Sequence, residues 1–239
     1  MRSEDRKNNE LRKIEIIPDV NIYAEGSCLI KCGNTHVLCT ASVDDKIPAW
    51  LKDQNRGWIT AEYSLLPRAT STRVNRETRG VGGRTHEIQR LIGRSLRSVV
   101  DLGALNGYTI HIDCDVIQAD GGTRTASITG SFVALAIAIN KMIKNNQISQ
   151  NPIRESAAAV SVGICNGEFL LDLDYNEDST AQVDANFVLT ENGKIVEIQG
   201  TAEGEPFSRD DYANLMNLAY EGIEKLTTYQ KEAIRNAKI

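Results

Sequence analysis

A glycine-rich and hydroxyl-rich segment, residues 118 to 131, has the composition of a loop that binds an anion. Its adjacent glycines, Gly121 and Gly122, allow the backbone to turn its N–H groups inward, and Arg124 adds a charged fork. An apolar helix is predicted to start near Ile128, so the segment also offers unpaired N–H donors and the positive end of a helix dipole. A phosphate group fits this combination best. The open alternative is a tight strand-to-helix turn in which Ser and Thr only cap the helix.

A second cluster of reactive side chains is the acidic segment from Asp172 to Asp184, which follows a strand-like run. Carboxylates on either side of a turn can hold Mg²⁺ through one or two direct oxygens, while water and substrate phosphates supply the other ligands. The open alternative is a solvated acidic turn. No Ser-His-Asp or Cys-His arrangement is evident, so the sequence indicates a bound phosphate or a water as the nucleophile.

Positive charge is concentrated between Arg56 and Arg97. This stretch has nine arginines, no lysine and three glutamates, and so a net charge of +6, although the whole chain has a net charge of -5. A basic segment on an acidic protein is typical of a polyanion-binding site, and arginine favours bidentate contacts to phosphate. The alternative is an arginine-rich surface helix with solvated charges. The nine arginines are Arg56, Arg68, Arg73, Arg76, Arg79, Arg84, Arg90, Arg94 and Arg97.

The secondary structure that must position these residues follows from hydrophobic periodicity. Alternating runs around Gly33-Asn34 predict a β-hairpin over residues 26–43. Residues 67–83 are predicted to form a long basic loop, and a helix is predicted from Thr85 to about Leu102. A strand from Tyr108 to Val116 is predicted to lead into the glycine-rich segment, and the helix after that segment is predicted to end near Asn145. The remaining predicted elements are strands at 57–64, 157–165, 168–173, 185–190 and 194–200, and a terminal helix from a capping box at Ser208-Asp211 to about Asn236.

Hairpins and strands that end in helices occur twice along the chain. This order predicts an α+β fold in which two related βαβ-like halves, approximately residues 1–150 and 151–239, share one core within a single domain. The five cysteines lie mostly in strand-like apolar runs without a CxxC pair, which predicts reduced thiols in the core and no zinc site. The apolar stretch 132–138 is too short to span a bilayer, and the polar N-terminus resembles no secretory signal, so we expect a cytoplasmic protein.

Four long motifs occur in order along the chain, at residues 57–70, 83–94, 113–130 and 177–184. Together they resemble the RNase PH family, the phosphorolytic tRNA 3′-exoribonucleases, and the likeness extends from Glu10 to the terminal helix. The resemblance implies a ribosomal protein S5 domain 2-like α+β fold. It also implies a homohexameric ring, built as a trimer of dimers.

The resemblance implies a reaction on tRNA precursors and other RNA 3′ ends. Inorganic phosphate would attack the terminal 3′,5′-phosphodiester, shorten the RNA by one nucleotide and release a nucleoside 5′-diphosphate. The family's catalytic aspartates, which would also bind Mg²⁺, fall on Asp178 and Asp184. Its phosphate-binding residues fall on Arg84, Gly122, Thr123 and Arg124. The basic residues expected to guide the RNA are Arg68, Arg73, Arg76, Arg90 and Arg94.

Two alternative functions remain open from the sequence. The first is a catalytically inactive ring subunit that binds RNA; such subunits typically lose the acids or the phosphate-site arginine, whereas this chain keeps Arg84, Arg124, Asp178 and Asp184. The second is a metal-dependent hydrolytic 3′-exonuclease, which would use water and release nucleoside monophosphates. One departure from the family pattern is His86, where an apolar residue is expected, and it touches none of the residues that define the motifs.

Overall fold

Nine β-strands and four α-helices form within residues 2, 5–78 and 80–238, which are the residues that the computed structural model of the protein describes. The helices are α1 (Gly83–Ser98), α2 (Thr123–Lys144), α3 (Tyr175–Thr180) and α4 (Arg209–Asn236). The strands are β1 (Ile14–Pro18), β2 (Gly26–Cys32), β3 (Thr35–Asp44), β4 (Trp58–Leu65), β5 (Thr109–Gln118), β6 (Ala157–Cys165), β7 (Glu168–Leu171), β8 (Val183–Thr190) and β9 (Ile195–Ala202).

The first sheet has the strand order β1-β2-β3-β5-β4. Cys32 pairs with Thr35 across the turn at Gly33-Asn34, where Gly33 has a φ of 55°, and this confirms the predicted hairpin. Strands β4 and β5 are parallel and are joined through α1, so they form the βαβ unit of the first half. Because β4 and β5 run the same way, their carboxyl ends lie together beside the start of α2.

The second sheet has the order β7-β6-β8-β9 and is antiparallel throughout. Helix α2 packs against strands of both sheets, and the largest apolar cluster combines residues of the first sheet with residues of β6 and β8. A second apolar cluster lies between the second sheet and α4. The shared core expected of the α+β fold is therefore present, and all five cysteines are buried free thiols.

Helix α2 starts at Thr123, and so the predicted start near Ile128 is wrong. The residues before Ile128 prefer caps and turns because their hydroxyls compete for backbone groups. Here those hydroxyls bond within the helix itself, since Ser127 Oγ donates to the carbonyl of Thr123 at 2.8 Å. By length and composition α2 could cross a membrane, but 83% of its apolar window is buried inside the protein, as in a core helix.

Other differences from the sequence prediction are local. Helix α1 ends at Ser98, four residues before the predicted Leu102. Strand β7 ends at Leu171 because Asp172 has a φ of 57°, which no regular strand accommodates. Strand β1 was not predicted, and α3 lies where a polar turn was expected. This short helix carries Asp178, so its position matters for the site.

Candidate active site

The glycine-rich segment connects β5 directly to α2. Gly121 and Gly122 have φ angles of 71° and 62°, and Gly122 is the N-cap residue of the helix. Within the described chain no side chain caps this helix start, in contrast to the capping boxes that begin α3 and α4. The N–H groups of the first turn of α2 have no partner within the helix and are therefore available to an anion.

The start of α2 forms one wall of a cavity of about 320 Å³. The predicted phosphate-binding residues and the predicted acid pair, although they come from four different elements, all line this cavity. The structure therefore brings together the glycine-rich segment and the acid pair, whose cavity residues are 54 to 62 positions apart in the sequence. The predicted residues that line the cavity are Arg84, Gly122, Thr123, Arg124, Asp178 and Asp184.

The two arginines of the cavity are held differently. Arg124 Nη1 donates to Gln199 Oε1 at 2.8 Å and lies 3.6 Å from Glu87 Oε2. Gln199 also donates to Glu87, so contacts with α1 and β9 fix the Arg124 guanidinium. Arg84 is exposed at the first turn of α1 and has no ion-pair partner in the described part of the chain. Its charge remains available to a ligand.

The acid pair consists of Asp178 on α3 and Asp184 on β8. Burial raises the pKa of Asp178, and the negative charge of Asp184 raises it further, while Arg124 and Arg84 act in the opposite direction. Two carboxylates that repel one another in this way create a site that favours a cation. Asn186, two residues beyond Asp184 on the same face of β8, adds a side-chain amide to the cavity wall.

This set of donors fits Mg²⁺. No group of three or more His, Cys, Asp or Glu side chains that could hold a metal ion occurs among the described residues. Mg²⁺ does not require such a cage, because it is usually bound through one or two carboxylates and takes its other ligands from water and substrate phosphates. Asp178 and Asp184 beside an anion site match that pattern.

A buried ion pair fixes the glycine-rich segment relative to α3. The Arg12 guanidinium donates to both carboxylate oxygens of Asp172, at 2.7 and 3.1 Å, and its other terminal nitrogen donates to the carbonyl of Asp120. Burial lowers the pKa of Arg12, but the charge and hydrogen bonds of Asp172 outweigh this effect and leave the pKa raised. A Cβ on Gly121 would lie 2.6 Å from the carbonyl oxygen of Leu173. The segment therefore packs directly against the residues that start α3.

Two further arginines hold α3 itself. Arg2 Nε donates to Glu177 Oε1 at 2.7 Å, and Arg6 Nη2 lies 3.4 Å from Glu177 Oε2. Glu177 also completes a capping box with Asp174 at the helix start. These contacts position Asp178, the next residue, and the sequence prediction missed them. The spacing of Asp174 and Glu177 is a capping-box signal that could have predicted the helix.

Tyr63 is a further cavity residue that the sequence reasoning did not select. It lies near the carboxyl end of β4, and its hydroxyl oxygen is 2.8 Å from Thr123 Oγ1. Burial raises the pKa of Tyr63, so the phenol stays protonated and can share a hydrogen bond with Thr123. In the sequence, Tyr63 has the pattern of an ordinary core aromatic residue. Its contact with Thr123 becomes visible only in the folded chain, where β4 lies beside the start of α2.

Family models identify the chain. A model of the 3′ exoribonuclease family, domain 1, matches residues 10–139, and a model of the same family, domain 2, matches residues 155–222. The chain belongs to the RNase PH family. Ribonuclease PH of Neisseria meningitidis serogroup C is 56% identical over 234 residues, which cover 97% of each chain, and the serogroup A protein has the same identity and coverage. The protein is thus an enzyme of a phosphorolytic exoribonuclease family.

Solved structures share the fold of this RNase PH family member. Rice Rrp46 superposes with a TM-score of 0.79 at 18% identity, covering 98% of this chain and 100% of the other. A chain of the Archaeoglobus fulgidus exosome, in a structure with RNA bound to the active site, superposes with a TM-score of 0.79 at 24% identity, covering 95% and 91%. At these identities the likeness establishes the fold alone.

The arginines expected to guide RNA lie outside the cavity of this RNase PH family member. Arg68 lines a neighbouring groove, and Arg94 forms an ion pair with Glu197. Arg79, which belongs to the basic stretch, lies outside the described residues. The RNA-guiding role of these side chains therefore stays a prediction. The others in the set are Arg73, Arg76 and Arg90.

Proposed function

We propose that the protein is a phosphate-dependent 3′-to-5′ exoribonuclease that trims the 3′ ends of tRNA precursors. It uses inorganic phosphate as co-substrate and releases nucleoside 5′-diphosphates. One observation carries the proposal: a single cavity combines an uncapped helix start and two arginines with an acid pair. The helix start and the arginines suit a free phosphate. The acid pair suits a metal ion and a proton transfer at the phosphodiester.

The attacking phosphate is held at the start of α2. First-turn N–H groups and the Thr123 hydroxyl donate to its oxygens, while Arg84 and Arg124 neutralise its charge and offset its repulsion from the RNA. A phosphate oxygen forms a bond to the phosphorus of the terminal phosphodiester as the bond from that phosphorus to the 3′-oxygen breaks. The 3′-oxygen gains a proton at the acid pair. The products are an RNA one nucleotide shorter and a nucleoside diphosphate.

Asp178 and Asp184 would hold the divalent cation, Mg²⁺, next to the scissile linkage. When bound, it stabilises the charge that develops on the phosphoryl and leaving oxygens. The chain's own contribution is to keep these carboxylates at a fixed distance from the start of α2, through Arg12, Asp172 and the packing of Gly121 on Leu173. Correct placement of reacting groups supplies a large part of phosphoryl-transfer catalysis.

The decisive experiment identifies the product. Purified protein is incubated with Mg²⁺ and a tRNA that carries a 3′ extension, with and without phosphate. Diphosphates that form only with phosphate are expected. Monophosphates in phosphate-free buffer would establish hydrolysis, and RNA binding without any product would establish an inactive RNA-binding subunit; either result contradicts the proposal.

Matched variants assign the activity to the cavity. Asp184→Asn is expected to abolish turnover without unfolding the protein, whereas Arg154→Ala, at an exposed surface ion pair with Asp101, leaves turnover at the parent level. Activity that survives in Asp184→Asn would contradict the role of the acid pair. The melting temperature and the mass of the assembly serve as folding controls for both variants.

We also propose a homohexameric ring, a trimer of dimers. Exosome chains among the structural neighbours support ring assembly as a property of this fold. Light scattering is expected to give six times the chain mass of 26.3 kDa. A mass of one or two chains at working concentration would contradict the ring.

A further inference from the structure

A groove of about 630 Å³ adjoins the active-site cavity. The two spaces share Thr70, Ala119 and Tyr175, so they form one continuous depression at the surface. We call this space the side groove. Its other polar lining residues are Asn34, Arg68, Ser71, Thr72, Gln118 and Asp120.

Tyr175 stands where the side groove meets the cavity. It is the first residue of α3 and lies three positions before Asp178, so the two side chains are neighbours on one face of the helix. The residue is 63% exposed, and its ring has no aromatic or cation–π partner among the described residues. An open aromatic face thus lies one helical turn from Asp178.

The backbone beneath Tyr175 is held firmly. Its N–H lies 3.4 Å from Asp120 Oδ1, and the capping box of Asp174 and Glu177 sets the start of α3. Arg2 and Arg6 hold Glu177 from the other side. A ring on a fixed backbone loses little conformational freedom when a planar group stacks on it.

The polar side chains of the groove suit a nucleotide strand of any sequence. Gln118 donates to the carbonyl of Asn34, and Asn34 donates to Asp120 Oδ2, so one N–H of each amide is used within the groove. Arg68 uses one nitrogen on the carbonyl of Ser71 and keeps other N–H groups for a phosphate. Stacking and backbone contacts of this kind are tolerant of base identity.

We propose that the side groove binds the single-stranded RNA next to the scissile linkage, with a nucleobase stacked on Tyr175 and a backbone phosphate at Arg68. This assignment rests on the proposed exoribonuclease function. The groove has about twice the volume of the cavity, which matches a strand that continues beyond the reacting nucleotide. The groove therefore holds RNA, and the phosphate co-substrate stays at the start of α2.

The test is the steady-state kinetics of Tyr175→Ala on single-stranded oligo(A) and oligo(U). The KM for RNA is expected to rise about tenfold on both substrates, as for the loss of one base–aromatic stack. The KM for phosphate and the kcat at saturating RNA are expected to change less than twofold. Tyr175→Phe should restore most of the lost affinity, because the stacking face remains. Tyr220→Ala, on the remote helix α4, is the matched control.

Two results would overturn the assignment. One is a KM for RNA in Tyr175→Ala within twofold of the parent value. The other is a raised KM for nucleoside diphosphate in the reverse, RNA-lengthening reaction, which would place the ring against the terminal nucleoside instead of the strand. Binding of a fluorescent oligonucleotide without phosphate is measured in parallel. If the parent protein binds the oligonucleotide through Tyr175 but forms no diphosphate, the proposed function is refuted, whereas the assignment of the side groove to RNA stands.

Discussion

The buried ion pair of Arg12 and Asp172 allows a stability prediction. The two side chains are 3% and 6% exposed, and they share two hydrogen bonds of 2.7 and 3.1 Å. Asp172 has a φ of 57°, a conformation that Asn also tolerates. Asp172→Asn therefore keeps the size of the side chain and the shape of the backbone, but it removes the carboxylate charge and replaces one acceptor oxygen for Arg12 with an N–H donor.

The expected cost of Asp172→Asn follows from what remains beside Arg12. Its guanidinium keeps the bond to the Asp120 carbonyl but loses its only ion-pair partner among the described residues. Removal of one partner from a buried pair costs about 3–5 kcal/mol. For a chain of this length, each kcal/mol lowers the melting temperature by about 2–4 °C, so we expect a decrease of about 6–20 °C.

Thermal unfolding by calorimetry measures this change. The control is Glu15→Gln, which removes a surface ion pair with Lys31 and is expected to leave the melting temperature nearly unchanged. A melting temperature of Asp172→Asn within about 2 °C of the parent would refute the reasoning that this pair holds the glycine-rich segment against α3.

Three further predictions concern the cavity. Arg84→Ala is expected to raise the KM for phosphate at least tenfold or to abolish turnover with RNA binding largely intact, and an unchanged phosphate dependence would refute its role. Tyr63→Phe removes the hydrogen bond to Thr123, which is worth about 1 kcal/mol, so the KM for phosphate should rise about fivefold. A change confined to the KM for RNA would contradict this role of Tyr63. Gly121→Ala is expected to lower the urea midpoint clearly, because its Cβ would collide with the Leu173 carbonyl at a φ of 71°; an unaltered midpoint would argue against the packing of the loop on α3.

Local signals predicted most of the strands and the terminal helix. Gly33-Asn34 and Asn166-Gly167 are two-residue turns in which Gly33, Asn166 and Gly167 have left-handed φ angles, and the flanking strands pair as their alternation indicates. The Ser208 capping box sets the start of α4 as predicted. These turns and caps depend only on residues a few positions apart, and so they can be predicted from one sequence.

Long-range contacts explain what the sequence did not predict. Helix α3 has only six residues and would be marginal alone, but Arg2 holds it from a distance of 175 positions along the chain. Arg97, one of the nine arginines of the basic stretch, packs over the Trp58 ring at 4.4 Å and donates to the Ile59 carbonyl. Neither contact has a signal in the local pattern.

The sequence predicted which charged residues belong to the candidate site, but it did not predict the contacts that hold them in place. The residue types and the family motifs predicted a phosphate-binding set and an acid pair, and the structure brings both sets into one cavity. Tyr63, Tyr175 and Asn186 escaped notice, because exposed or core positions of such residues are common and only the folded chain places them beside the acids. The Arg12–Asp172 pair was also missed, since its partners are 160 positions apart.

The most direct test of the central claim follows the phosphate itself. RNA is degraded in the presence of Mg²⁺ and radiolabelled inorganic phosphate, and the released nucleotides are separated. We expect label in the β-phosphate of nucleoside diphosphates, in an amount proportional to the RNA that is shortened. We also expect that Asp184→Asn forms no labelled diphosphate. Shortening of the RNA with unlabelled nucleotide products would show that water, and not phosphate, attacks the phosphodiester.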